Sequence, residues 1–168
     1  AIRKIAQIGH PVLRQTARTL TREELLSPDM QRFIDDLVET MRDANGAGLA
    51  AIQVYQPLRI VAVEVKNNPR YPYKPNIPLT VLVNPVLTPL TEETFDNNVG
   101  CLSVPNLRGM VPRFAEVRVT GVTRDGALRG DGARPALEAA AITQSASGTL
   151  DAIGGGTVQL GSASVTGG

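Results

Sequence analysis

The sequence has no tryptophan, one cysteine, one histidine and only three Phe and three Tyr among 168 residues. A single cysteine excludes an internal disulfide, so Cys101 is a buried apolar residue, a reactive thiolate or a metal ligand, and counting alone favours the first. The only histidine, His10, precedes Pro11, whose ring biases it away from the helical region, so a turn residue is expected there rather than a ligand. Neither sign of charge is in excess: seventeen Lys and Arg against sixteen Asp and Glu give a net charge of +1. That balance supplies no field to gather phosphate backbones or an anionic membrane surface, and neither nucleic acid nor membrane is an expected partner. No apolar run approaches the roughly 18 residues of a membrane span. The opening A-I-R-K-I-A-Q-I-G lacks the apolar stretch of a secretion signal, and the expected location is therefore cytoplasmic.

What is present fits one ordinary domain, long enough to bury a core without staples. Ser27 can cap a helix, Pro28 suits its first turn and Asp29 complements its N-terminus. Met30, Phe33, Ile34, Leu37, Val38 and Met41 follow as one apolar stripe, closing near Arg42 with Gly46 beyond, so this helix should bury one face on a sheet. Leu58 to Val65 and Leu79 to Asn84 read as strands, separated by a Pro- and Asn-rich surface loop. Glu116 to Val122 alternates, with Val117 and Val119 on one face, and leads to a hairpin turn at Asp125-Gly126. Past Gly126 the composition shifts to Ala, Gly, Ser and Thr. Pro135 to Gln144 could form a short alanine-rich helix, and the Gly- and Ser-rich stretch after it reads as a flexible tail or a weak edge strand.

Two motifs carry a resemblance. Gly46-Ala47-Gly48-Leu49-Ala50-Ala51-Ile52-Gln53 follows the helix, and Gly100-Cys101-Leu102-Ser103-Val104-Pro105 comes about fifty residues later. In that order and spacing they resemble the peptide deformylases. A-Q-I-G-H-P-V-L-R and L-R-G-M-V-P-R also look like family sequence, so the likeness spans roughly residues 2 to 126. It implies an α+β fold of twisted, mostly antiparallel sheets packed on a helix. It also implies removal of the formyl group from the N-terminal formylmethionine of nascent polypeptides at the ribosome, with a divalent metal, usually iron or else zinc or nickel, held by one Cys and two His. On this sequence the resemblance makes Cys101 the metal ligand. Gln53 and the backbone N–H of Leu102 become the catalytic donors facing the developing oxyanion, commonly the largest single catalytic effect. Ala47, Gly48 and Gly100 become substrate-binding positions, the glycines permitting close approach of an extended peptide paired like an added strand.

The third family motif, H-E-x-x-H, places two metal-binding histidines one helical turn apart, with a Glu as general base. Counted from Cys101 without gaps, its positions fall on Thr143, Gln144 and Ser147. A hydroxyl is a weak ligand for a transition metal, and a Gln amide does not accept a proton from water at useful pH. Val99 is a second departure, since the family usually carries Glu before G-C-L-S. Residues 1–126 are accordingly read as the deformylase-like domain and 127–168 as its divergent C-terminal segment. Gly130 to Leu137, back-translated and read one base later, gives V-T-A-R-G-L-L, which resembles the family's lead-in to the metal helix; a frameshift is one hypothesis, and sequencing the coding DNA tests it.

Three readings follow. The first is a deformylase by family with little or no activity as written. The second is a non-catalytic protein that keeps the peptide cleft without metal. The third is a structurally incomplete product whose tail does not pack.

Overall fold

In a computed structural model of the chain, residues 1–67, 76–90, 92–114, 116–129, 141–144, 150–153 and 158–159 are described. The first regular element, α1 (Arg22–Leu26), opens with a capping box: Thr21 Oγ1 accepts from the Glu24 N–H, and the Glu24 carboxylate accepts from the Thr21 N–H. The following helix, α2 (Pro28–Asp43), begins as the sequence implies, with the Ser27 hydroxyl accepting from the Met30 N–H. Its end differs in detail from the expectation. Asn45 adopts the left-handed conformation at φ 53°, donating to Arg42 O, while Gly46 N–H returns to Met41 O. This is a Schellman stop with Asn in the left-handed position, which leaves Gly46 for another use described below.

The strands are β1 (Gly48–Ala50), β2 (Ile60–Val65), β3 (Ile77–Pro89), β4 (Thr94–Cys101), β5 (Val104–Phe114), β6 (Glu116–Val122), β7 (Leu128–Arg129), β8 (Ala141–Gln144), β9 (Leu150–Ile153) and β10 (Val158–Gln159). A six-stranded sheet runs β1-β2-β3-β6-β10, with β7 also paired to β6. All its ladders are antiparallel. The β4–β5 and β8–β9 pairs form two further ladders, also antiparallel. The architecture is α+β, as the resemblance implies.

Alternation sorts the sheet's side chains by face. Leu49, Ile60, Ala62, Val81 and Val83 join Phe33, Ile34, Leu37, Val38 and Met41 of α2 in one core cluster. The intervening residues Ala50, Val61, Val63 and Leu82 point the other way and are also buried. Short antiparallel strands commonly bury one face only; here β1, β2 and Val81–Val83 of β3 are buried on both. The β8–β9 hairpin abuts the sheet, β9 near β1 and β2 and β8 near β6.

Several expectations hold. Of the strand expected at Leu58 to Val65, Ile60–Val65 forms; Val119 of β6 is buried, and Gly126 closes the β6–β7 hairpin at φ 87°. His10 is a turn residue: its Nδ1 accepts from the Val12 N–H at 3.1 Å at the head of a short 3-10 turn, and its ring meets Tyr55 edge-on. Others need correction. The strand expected at Leu79 to Asn84 extends over Ile77–Pro89. Ala141–Gln144, expected at the end of a short helix, pairs as strand β8 with β9, because the cross-strand ladder satisfies its backbone in place of helical bonds. The remainder of that expected helix, 135–140, lies outside the described residues, as do 68–75 of the connector. The tail contributes the edge strand Val158–Gln159 against β6.

Candidate functional site

The two motifs arrive from different parts of the fold. The first runs from the α2 stop through β1 into a 3-10 turn over Ala51–Val54. Gln53 sits on that turn and reaches back to accept the Ala50 N–H on Oε1 at 3.0 Å, as a Gln three residues into a helical turn does in a capping box. The second motif is the tip of the β4–β5 hairpin, where Cys101 pairs with Val104 and Leu102-Ser103 make the turn.

These tips meet. Gln53 is 0% exposed, and its Nε2 lies 3.0 Å from Ser103 Oγ and 3.9 Å from Cys101 Sγ. The Leu102 side chain lies against Gly46: a Cβ on Gly46 would come within 2.6 Å of Leu102 Cδ1. Gly46 therefore serves the close approach of the second motif to the first rather than a turn conformation.

Gly48 lies on β1, the end strand of the six-stranded sheet. The Glu64 N–H donates to Ala47 O at 3.0 Å, so Ala47 and Leu49 turn their backbone groups toward β2 and Gly48 turns its own to the other edge. Among the described residues no strand pairs with that edge. Gly100 is buried on β4 beside a register shift at Cys101. Gln53, Cys101, Leu102 and Gly46 are thus brought together, with Ala47 and Gly48 following directly on Gly46. A cavity of about 560 Å³, lined by Thr16, Leu58, Arg59 and Val86 among others, adjoins this site through Ala50 and Ile52 but not through Gln53 or Cys101.

A short N-terminal segment ties both tips. Ala6 N–H donates to Gln53 O at 2.7 Å, Ile8 N–H donates to Ser103 O at 2.8 Å, and Gln7 Nε2 reaches Leu102 O at 3.4 Å. Sequence reading assigned no role to this strap or to Ser103. Backbone bonds between distant segments leave no trace in residue pattern, although Ser103 stood inside the quoted motif and its hydroxyl was the available signal.

The other expected positions are not gathered in the same way. Thr143 and Gln144 lie on β8, their backbones paired with Asp151 and Leu150. Ser147 lies outside the described residues. Two histidines one turn apart on a helix would project to one side; the strand at 143–144 is a different scaffold.

The metal of the expected chemistry does not fit the described residues. Cys101 supplies one sulfur, but no group of three or more His, Cys, Asp or Glu that could hold an ion occurs among the described residues. The whole sequence contains one His, and its Nδ1 already accepts the Val12 N–H. One thiolate alone does not make a tetrahedral site.

A family model described as polypeptide deformylase matches residues 2–131. The chain is 43% identical over 126 residues to peptide deformylase 1 of Nitrosomonas europaea, spanning 75% of this chain and 70% of that one. It is likewise 43% identical over 120 residues to peptide deformylase 1 of Bordetella pertussis, spanning 71% and 67%. Its fold is similar to the Met-Ala-Ser-bound crystal structure of the class I type b peptide deformylase from Acinetobacter baumannii, with a TM-score of 0.73 at 34% identity, covering 78% of this chain and 82% of that one.

Proposed function

The chain belongs to the polypeptide deformylase family, and from that membership we propose that its cleft receives the N-terminal formylmethionine of new polypeptides while releasing formate slowly or not at all. The observation that carries the reading is the fully buried Gln53 amide, held with Nε2 toward Cys101 beside the edge of β1. An extended peptide laid along Gly48 would gain main-chain hydrogen bonds as an added strand. Its formyl oxygen would then be met by the Gln53 amide and the Leu102 N–H, donors suited to a carbonyl that gains negative charge.

The hydrolytic part of the chemistry is what this sequence does not supply. One Cys and one His cannot make a site of one Cys and two His within a single chain. Gln144 in place of Glu removes the group that would take a proton from water, and such a group commonly contributes about 10²- to 10⁴-fold. The proposed role is therefore metal-free recognition of formylmethionyl chains at the ribosome in the cytoplasm. Neither iron nor substituting zinc or nickel takes part in it.

Metal analysis of the purified chain, run beside an assay of formate release from a formylmethionyl peptide, tests this reading. The expected result is metal far below one equivalent and release at the uncatalysed level. Stoichiometric metal bound through Cys101, with formate released, would overturn the metal-free part.

A further inference from the structure

We infer that Ser103 is a positioning residue that fixes which proton of the Gln53 amide is left facing Cys101, and so sets the preference for a formylated over a free N-terminus; the second half rests on the peptide-binding reading above. A Gln amide has one carbonyl oxygen and two N–H protons. The oxygen is committed, because Oε1 accepts the Ala50 N–H at 3.0 Å. A flipped amide would set its NH₂ against that backbone donor. Nε2 is therefore turned toward the β4–β5 tip, where its two protons meet unequal acceptors.

One proton meets Ser103 Oγ at 3.0 Å, an ordinary hydrogen bond. The other faces Cys101 Sγ at 3.9 Å, a long contact to a weak acceptor. The second proton is the one a ligand oxygen can take at little cost, and the first is the anchor that keeps the second aimed. Neither partner of the anchor has water as an alternative, since Gln53 and Ser103 are each 0% exposed.

Both ends of the anchor are pinned by one strap. Ala6 N–H holds Gln53 O, and two residues later Ile8 N–H holds Ser103 O. The separation of the two side chains is thereby set by backbone, and the Ser103 hydroxyl converts that fixed separation into a fixed amide orientation. Removing the hydroxyl leaves the strap intact and frees only the amide.

The test uses the full chain with ¹⁵N-labelled glutamine, the Gln53 side-chain signals being identified by their loss in Gln53→Met. In the wild type one Gln53 amide proton should exchange slowly with solvent. In Ser103→Ala that protection should be lost, and the preference for formyl-Met-Ala-Ser over Met-Ala-Ser should fall about tenfold, the value of one neutral hydrogen bond. Affinity for Met-Ala-Ser itself should not change, which a general loss of packing would not spare. A folded Ser103→Ala chain with the slow proton retained would overturn the inference whatever the peptides do. Should neither peptide bind the wild type, the peptide-binding reading fails, and with it the claim on formyl preference; the amide signals still judge the anchor. Where the alanine variant does not fold, Ser103→Thr carries the test, because it keeps the hydroxyl and must keep the slow proton; its loss in a folded Thr variant would equally overturn the inference.

Discussion

Residues 46–104 and the residues after Gly126 were both expected to serve the same chemistry, but they differ in composition and in the elements they form. In the first region Gln53 has the Ala50 N–H and Ser103, Leu102 has Gly46, and both tips share the Ala6–Ile8 strap. The second region contains no aromatic residue, and Thr143 and Gln144, the positions the count from Cys101 reaches, lie on strand β8. The contrast teaches that the residues expected to orient a formyl group, Gln53 and Leu102, are packed together without any contribution from the positions expected to complete the metal site.

The largest expected effect comes from replacing the region after Gly126. Replacing residues 127–168 by the corresponding segment of the Nitrosomonas europaea relative, with the family's H-E-x-x-H, should raise formate release by about 10⁴-fold or more, because a general base and a metal centre return together. A chimera that binds metal yet stays inactive would place a further defect in residues 46–104. Damaging the core that supports residues 46–104 comes next. Leu37 is 0% exposed beneath the sheet, and Leu37→Ala should cost about 2–5 kcal/mol in chemical denaturation.

A smaller effect probes the contact between the motifs. Gly46→Ala forces a methyl group into the space of Leu102 Cδ1 and should cost about 1–3 kcal/mol. Adding Leu102→Ala should return part of that loss, measured as a coupling in a double-mutant cycle; simple additivity would show that the two tips are not in contact.

Smaller again is the ion pair that fastens the end of α2 to β2. Arg42 grips Glu64 with two bonds of 2.8 Å, and this hydrogen bonding, opposed by desolvation, holds the Glu64 carboxyl below the usual carboxylate range. A depressed carboxylate stabilises the fold in full above its unfolded pKa, and that contribution is lost as pH falls through the lower folded value. Glu64→Gln should therefore cost about 0.5 kcal/mol near neutrality, since Arg42 is half exposed and water screens the pair. The difference between wild type and variant should close in acid; a constant difference across that range would remove the ion pair as its cause. Least of all, Thr143→Ala and Gln144→Ala should leave peptide affinity unchanged in titration, since the account gives them no part in recognition.

The elements legible in the sequence were those whose own residues state their period. The α2 stripe from Met30 to Met41, the apolar run of β2 and the Asp125-Gly126 turn each carry a local signal, and each matches the structure. The β4–β5 hairpin was not legible. Its strands, T-F-D-N-N-V-G-C and V-P-N-L-R-G-M-V-P-R-F, are rich in Asp, Asn, Gly and Pro, poor strand formers that are held here by cross-strand pairing. Alanine propensity pointed to helix around residue 141, and pairing with β9 prevailed. Of the site, Gln53 and Cys101 were found through the motifs and do converge, 3.9 Å apart. Ser103 and the strap needed coordinates, because their role lies in contacts between segments 47 to 95 residues apart.

The central claim is that recognition outlives the metal centre, and the most direct measurement is a calorimetric titration of the full chain with formyl-Met-Ala-Ser, with and without a strong chelator. The account predicts saturable binding that the chelator leaves unchanged, stronger than that of Met-Ala-Ser. Binding abolished by the chelator, or no preference for the formylated peptide, would contradict it.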